Sequence, residues 1–401
     1  MVVTFEKIDS RLVPEVNIGT LGHVDHGKST LVQSLTGKWT SVHSEELKRG
    51  ITIKLGYADA TVYKCGKCGI MCTSKSCPKC LEGCEPVRTV SFVDAPGHET
   101  LMATVLSGAS LMDGILFVIA ANEKCPQPQT KEHLMVLNIV GIKSIIIVQN
   151  KIDLVSKEQA QENYKQIKQF VKGTIAENAP IIPISSEKQV NIDVLLEAIQ
   201  EYIPTPKRDS SKPAKMLVVR SFDINKPGTE IEQLKGGILG GALIQGELKI
   251  GEEIEIGPGI KIKETWTPLK TKIVGLQKAG KNMDVAGSGG LLGVMTELDN
   301  SISKADSLTG SVAGKNLPPI LEKLTLKLNI FNSSEVDPVK MSEQLMVSVG
   351  TARTLGIVKN IKKDKCEMDL RLPVCADKGD RAVLARRIME KWKLIGWGFI
   401  E

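Results

Sequence analysis

At 401 residues the chain is too long for one ordinary hydrophobic core, and its 42% apolar content is that of globular protein, which excludes a disordered or fibrous polypeptide. Lysine and arginine number 52 against 46 acids, and the resulting charge of +6 permits a polyanionic partner without demanding one. No stretch approaches the roughly eighteen continuous apolar residues of a membrane span, and no basic head leads into an apolar run at the start, so a cytoplasmic protein with no membrane partner is expected.

The extended apolar run Glu15-Val-Asn-Ile18 leads into Gly22-His-Val-Asp-His-Gly27-Lys28-Ser29, and Thr30 to Leu35 reads as a helix. Strand, glycine-rich loop and helix in that order aim free backbone N–H groups and the positive end of a helix dipole at one point, which suits a phosphate. Gly22 and Gly27 supply the turns. Lys28 reaches the β- and γ-phosphates of a nucleotide, and the Ser29 hydroxyl ligates the Mg²⁺ that neutralises them. Asp25, His26, Gly27 and Thr30 complete this set of candidate nucleotide contacts.

The polar segment Ser44-Glu-Glu-Leu-Lys-Arg-Gly50-Ile-Thr52-Ile53 reads as a surface loop. Alone, Thr52 reads as the start of a strand. Between two nucleotide motifs, its hydroxyl suits a Mg²⁺ ligand that joins when a γ-phosphate is present and leaves when it is gone, which makes the loop a switch.

Six of the nine cysteines fall between Cys65 and Cys84, a clustering that favours local metal chemistry over a disulfide framework. Cys65-Gly-Lys-Cys68 and Cys77-Pro-Lys-Cys80 each present two thiolates, and four sulfurs satisfy a tetrahedral Zn²⁺ with no open position. A structural zinc knuckle over about residues 64–84 is expected. A redox CxxC would need a thioredoxin-like strand-to-helix context, which is missing. Cys72 and Cys84 do not fit the paired spacing and read as spare thiols.

Thr89-Val-Ser-Phe-Val-Asp94 is a β-branched strand ending in Asp94-Ala-Pro-Gly97-His98. Asp94 at a strand's carboxyl end is suited to hold Mg²⁺ through water, and the Gly97 N–H to sense a γ-phosphate. His98 then stands where a side chain must orient the attacking water, and is the catalytic candidate.

Gly114 to Ala120 is a buried strand, Thr130 to Val140 a helix, and Ser144 to Gln149 another buried strand ending in Asn150-Lys151-Ile-Asp153. The Asp153 carboxylate can accept from guanine N1–H and from its exocyclic amine, whereas adenine offers neither, so the site reads guanine. Asn150 braces the loop and the Lys151 stem lies along the base. Ser156 to Lys172 is a helix with a Ser156/Gln159 capping box. Pro180 to Ser186 is a last strand whose end, Ser185-Ser186-Glu187, closes over the base. Asn191 caps a final helix through Tyr202, and Pro204 and Pro206 end the domain. Strands alternating with helices, with every motif at a strand's carboxyl end, predict an α/β fold over residues 1–207: a doubly wound parallel sheet with its ligand in the crevice.

From Pro213 the texture changes to short β-branched runs with glycine turns, as in Met216 to Phe222 and Glu247 to Ile256. These predict two antiparallel β-barrel domains, 208–318 and 319–401. Lys235-Gly-Gly-Ile-Leu-Gly-Gly-Ala lacks a Gly-Lys-Ser ending and a following helix, so it reads as strand turns and bulges. Residues 378–393 carry six basic side chains against two acids, a solvated face or a polyanion contact.

The segments GHVDHGKST, RGITI, DAPGH and NKID, with the barrels after them, resemble the elongation-factor-Tu branch of translational GTPases. More narrowly, HSEELKRGITIKLGYA, the cysteine insertion, SGASLMDG, PQPQTKEH, IVQNKIDLV, SFDINKPGT, LKGG and the ending IGWGFIE resemble the gamma subunit of archaeal and eukaryotic translation initiation factor 2, over nearly the whole chain. The absence of an amino-terminal extension looks archaeal. The resemblance implies a GTPase that carries initiator methionyl-tRNA to the small ribosomal subunit with GTP bound and releases it after hydrolysis to GDP and phosphate. It also implies alpha and beta partner subunits in a heterotrimer, and places Asp25 and the Gly50 carbonyl on Mg²⁺ beside Ser29 and Thr52.

Two departures stand out. Ser185-Ser186 replaces the family's usual Ser-Ala, which points to a backbone contact at Ser186, and Leu328 to Lys340 is shorter than the family's equivalent. A special elongation factor delivering selenocysteinyl-tRNA is the alternative, and a GTP-powered enzyme such as a sulfate adenylyltransferase subunit a third class. The cysteine insertion and the ending argue against both.

Overall fold

The apolar runs of the amino-terminal half become neighbouring strands of one sheet in the computed structural model, which describes residues 9–40, 52, 54–98, 101–226, 228–331, 337–389 and 391–401. The chain divides into two units, Met1–Lys207 and Arg208–Glu401. In the first, β1 (Pro14–Leu21), β2 (Gly56–Cys65), β3 (Met71–Cys72), β4 (Cys84–Asp94), β5 (Gly114–Ala120), β6 (Ile145–Asn150) and β7 (Ile181–Pro183) lie in the order β3-β2-β4-β1-β5-β6-β7. From β4 to β7 every pairing is parallel. The remaining edge is antiparallel, β2 on β4 and β3 on β2, as the cysteine segment folds back locally and brings the chain straight back along β2.

The α-helices described in this unit are α1 (Lys28–Thr36), α2 (Met102–Ala109), α3 (Pro128–Val140), α4 (Lys157–Val171) and α5 (Ile192–Tyr202). The sequence reading missed α2: all but one of its residues are buried, so it shows no polar face and no 3.6-residue period. The expected capping box on α4 is present, with Gln159 N–H donating to Ser156 Oγ (3.3 Å) and Ser156 N–H to Gln159 Oε1 (3.0 Å). Asn191 departs from expectation. It occupies the N-cap of α5 with φ 59°, but its side-chain amide donates to the Pro183 carbonyl (2.8 Å) and leaves the helix end uncapped by it. Strand β5 is buried along its whole length, and Ile18, Leu116, Val118, Ile146 and Val148 pack against Leu31, Leu35, Leu195 and Ile199. Parallel strands covered on both faces leave no room for alternation, which is why they read as solid apolar runs.

The second unit holds two closed barrels. In the first, Glu253–Ile262, Val312–Gly314, Lys215–Phe222, Ile238–Gln245, Leu292–Thr296 and Thr265–Lys278 pair in turn, and the last returns to the first. The glycine-rich segment runs into the strand Ile238–Gln245, whose pairing with Lys215–Phe222 shifts register twice. The second barrel closes through Ile320–Ile330, Lys365–Cys375, Ala352–Lys362, Gln344–Val349, Arg381–Ile388 and Lys391–Ile400. Closure pairs both sides of every strand in each six-strand ring, while Lys281–Met283 adds to Thr265–Lys278 and Glu247–Lys249 pairs with Val285–Gly287 outside the first ring. Among the described residues no helix is long and apolar enough to cross a membrane.

Candidate nucleotide site and metal centre

Four loops emerge from the carboxyl ends of parallel strands β1, β4, β6 and β7 and carry the nucleotide motifs other than the segment around Thr52, which lies between α1 and β2. After β1 the chain turns through Gly22 to Gly27, and α1 begins at Lys28 with Thr30 in its first turn. Gly27 stands at the N-cap with φ 87°, and a Cβ there would lie 2.4 Å from Asn150 Nδ2, so backbone angle and space both call for glycine. No side chain caps this helix end, whose first N–H groups are thereby suited to an anion. Asp25 is exposed on the loop with φ 61°.

Lys28 is buried, and its Nζ donates to the carbonyls of Gly22 (3.0 Å) and His23 (2.8 Å). Burial pushes this ammonium down to about 8, against the opposing pull of Asp94 and Asp25. A strained cation beside an uncapped helix end is suited to a phosphate.

Two histidines support the loop from beneath. The Gly22 N–H donates to Nδ1 of fully buried His133 on α3 (2.7 Å), and burial pushes that ring down to about 3, so it stays a neutral acceptor. His26 is also buried, with Nδ1 3.0 Å from the Val118 carbonyl, and burial pushes it down to about 3. Its Nε2 lies 3.4 Å from Glu123, but a neutral ring makes no ion pair there. Any contact of His26 with a nucleotide therefore falls to its backbone.

Asp94 gathers three hydroxyls. Thr20 donates to Oδ1 (2.8 Å), and Ser29 (2.6 Å) and Thr40 (2.7 Å) donate to Oδ2. Because the Ser29 proton is committed to Asp94, the oxygen's lone pairs are left for a cation. Ser29 Oγ and Thr52 Oγ1 lie 3.0 Å apart, and neighbouring ligands of an octahedral Mg²⁺ lie about 2.9 Å apart, so the pair fits that ion. Gly50 lies outside the described residues. Thr20 and Thr40 were missed by the sequence reading, since neither belongs to a motif.

Gly97 brings the loop after β4 against the phosphate loop. A Cβ there would lie 2.5 Å from Lys28 Nζ and 2.8 Å from the Val24 amide nitrogen, an approach that only glycine permits. His98 follows it, half-buried, with its carbonyl accepting from the Leu101 N–H (2.9 Å).

At the other end, buried Asn150 joins three loops: Nδ2 donates to the His26 carbonyl (3.0 Å), and Oδ1 accepts from the Ser186 N–H (3.1 Å) and hydroxyl (3.0 Å). Both Ser186 donors, the backbone N–H and the hydroxyl, thus hold the Asn150 side chain. Ser185 Oγ accepts from the Lys188 N–H (3.1 Å). Lys151 adopts φ 63°, and Asp153 and Glu187 are exposed at the mouth.

Beyond the antiparallel edge, the sulfurs of Cys65, Cys68, Cys77 and Cys80 lie within 4.8 Å of one another. Cys65–Cys80 and Cys68–Cys77 are 3.4 Å apart and Cys68–Cys80 3.8 Å, against about 3.8 Å between sulfurs of a tetrahedral site with Zn–S bonds of about 2.3 Å. The donor set fits zinc. Backbone N–H groups of Cys68 and Cys80 point at the sulfurs of Cys65 and Cys77 (both 3.5 Å), and the first of these contacts leads in lowering Cys65 to about 6. Cys72 and Cys84 lie outside this set but are not scattered, with their sulfurs 3.7 Å apart.

Residues 14–205 match the family described as the Elongation factor Tu GTP binding domain, and residues 320–400 match Initiation factor eIF2 gamma, C terminal. The translation initiation factor 2 subunit gamma of Methanocaldococcus jannaschii is 58% identical over 400 residues, covering 96% of this chain and 97% of that one. The protein of the same name from Pyrococcus horikoshii is 56% identical with the same coverage. Among solved structures, a bacterial selenocysteine-specific elongation factor, EF-Sec, matches with a TM-score of 0.75 at 25% identity, over 96% of this chain and 58% of that one. The elongation factor SelB of Methanococcus maripaludis, solved with the GTP analogue GppNHp, shares the fold with a TM-score of 0.72 at 23% identity, over 97% of this chain and 79% of that one.

Proposed function

Because the chain belongs to the translation initiation factor 2 gamma-subunit family and is a GTPase, we propose that it binds methionylated initiator tRNA with GTP, delivers it to the small ribosomal subunit and releases it after hydrolysis. The carrying observation is identity of 58% across 96% of the chain to an initiation-factor subunit, against 25% to a selenocysteine factor of which the match spans only 58%. The proposal includes alpha and beta partner subunits, a cytoplasmic setting, and three domains at 1–207, 208–318 and 319–401.

In the proposed site the loop amides from Asp25 to Thr30 and the Lys28 ammonium take the phosphates. Ser29, Thr52 and, through water, Asp94 would hold Mg²⁺ with Asp25 and the Gly50 carbonyl beside them, and that ion would neutralise charge on the β- and γ-phosphates. Gly97 offers its N–H to the γ-phosphate, and His98 orients the attacking water. Asp153 reads guanine while Asn150 holds its loop against the phosphate loop, with Lys151 along the base and Ser185, Ser186 and Glu187 closing the far side. Cys65, Cys68, Cys77 and Cys80 would hold one structural Zn²⁺.

Filter binding of the GTP-loaded protein to initiator, elongator and selenocysteine tRNAs tests the reading. Initiator tRNA should bind tightest, by roughly tenfold or more, a difference of about 1.4 kcal/mol. Equal retention of all three, or preference for selenocysteine tRNA, would overturn it.

A further inference from the structure

The four-sulfur cluster leaves two cysteines of the knuckle without a role. Cys72 closes β3 and Cys84 opens β4. Between them the chain folds back on itself, with the Cys84 N–H donating to the Lys75 carbonyl (2.8 Å) and a bridge between Ser76 and Gly83. This short ladder holds the two sulfurs 3.7 Å apart. Cys72 is 6% exposed and its thiol lies 3.2 Å from the Ser74 carbonyl, while Cys84 is half-buried, so a small solute reaches the pair from one side. Neither sulfur belongs to the group within 4.8 Å that fits zinc. The knuckle thus carries two separate sulfur sites, one of ligand number and spacing for a metal, the other a dithiol.

We propose that Cys72 and Cys84 are a redox site, oxidised by a small hydroperoxide to a disulfide that braces the knuckle independently of the metal. One sulfur, as thiolate, attacks a peroxide oxygen; the O–O bond breaks, a sulfenic acid forms and one water leaves. The second thiol displaces the hydroxyl from that sulfur, the S–S bond forms and a second water leaves. Two thiols lose two electrons and two protons, and one hydrogen peroxide becomes two waters. The sulfurs must close from 3.7 Å to about 2.05 Å, a movement available to side-chain rotation. The bridge encloses residues 72–84, hence Cys77 and Cys80, and ties the second CxxC turn to the sheet. Cross-linking that segment restricts its open states, so metal loss from the oxidised knuckle is slower.

The test treats the full-length, zinc-loaded chain with hydrogen peroxide, maps disulfides by peptide mass spectrometry and measures zinc in parallel. A Cys72–Cys84 link with zinc still at about one per chain is expected, since all four thiolates of the closed site are engaged by the ion and less open to the oxidant. Subsequent zinc loss to a chelator should slow by roughly tenfold relative to the reduced chain. Oxidation of Cys65, Cys68, Cys77 or Cys80 with zinc release, while Cys72 and Cys84 remain thiols, would overturn the site. A link that leaves zinc loss unchanged would overturn the bracing role. Cys72→Ser should bind zinc normally and form no link, and mapping on the unaltered chain decides the question even where that variant fails to fold. A chain that binds no zinc yet forms the Cys72–Cys84 link separates failure of the metal reading from failure of this one.

Discussion

Asn150 reaches back 124 residues to the His26 carbonyl, and Asp94 collects hydroxyls from Thr20, Ser29 and Thr40, whereas no sulfur–sulfur contact in the cysteine insertion spans more than 15 residues. The two regions of one unit are held by different means. Most of the nucleotide loops leave buried strand ends, those of β1, β4 and β6, with donors and acceptors fixed by residues far away in sequence, so the site exists once the sheet is folded. The insertion buries Cys65, Cys72 and Cys77 but leaves Leu81 80% exposed, too little apolar burial for a core, and depends on an ion or a bridge. Changes at the first region should alter chemistry and leave the fold intact, while changes at the second should alter local stability and leave chemistry intact.

The largest effect is expected at Asp153. Asp153→Asn places a donor where xanthine carries its extra carbonyl, so the preference between guanine and xanthine nucleotides should reverse, with GTP losing on the order of 10⁴ in affinity. Nucleotide competition measures it, and an unchanged GTP affinity would remove Asp153 from the base-reading role.

Hydrolysis comes next. The phosphate loop and the residues beside Gly97 contain no arginine to act in cis, so intrinsic hydrolysis should be slow, with an outside partner supplying roughly 10³–10⁵. His98→Ala should leave GTP and tRNA binding near normal while stimulated single-turnover hydrolysis on the small ribosomal subunit falls by roughly 10² or more. Hydrolysis at the wild-type rate would make His98 a bystander.

A smaller effect follows from Lys28. Its ammonium is held down at about 8 in the nucleotide-free protein, and an adjacent phosphate should return it toward its usual value of about 10.4. Binding then takes up a proton above pH 8, so GDP affinity should fall as pH rises, by roughly tenfold between pH 7 and pH 9. Calorimetry in buffers of different ionisation enthalpy would register the proton uptake, and a flat affinity profile would contradict it.

The smallest effect on chemistry should come from the knuckle. Cys65→Ser with Cys80→Ser should take zinc from about one per chain to none without changing GTP affinity. Zinc at the wild-type level would mean a different ligand set, and a loss of GTP affinity would mean that the two regions are coupled.

What the sequence disclosed follows the same division. Gly22 to Ser29, Asp94 to His98 and Asn150 to Asp153 are contiguous pieces of chemistry at strand ends, and solid apolar runs between them imposed the sheet, so loops and layers were legible together. The antiparallel edge was not, because strand direction depended on how residues 65–84 return. Helix α2 was hidden by burial on all sides. Thr20 and Thr40 looked like ordinary threonines, since the Asp94 they orient is 74 and 54 residues away, and nothing around His133 showed that its ring would meet Gly22, 111 residues earlier. Cys72 and Cys84 failed the spacing rule because their approach depends on a local fold-back that no CxxC pattern encodes.

On the proposed function, the bound nucleotide, read through Thr52 beside Ser29, sets affinity for initiator tRNA. The most direct measurement compares equilibrium binding of methionylated initiator tRNA to the protein loaded with a non-hydrolysable GTP analogue and with GDP, for wild type and Thr52→Ala. Wild type should bind more tightly in the GTP form, by roughly 5–150-fold as for typical coupling between sites, and Thr52→Ala should bind in both forms as wild type does with GDP. Equal affinity of the wild-type protein in the two forms would contradict the account.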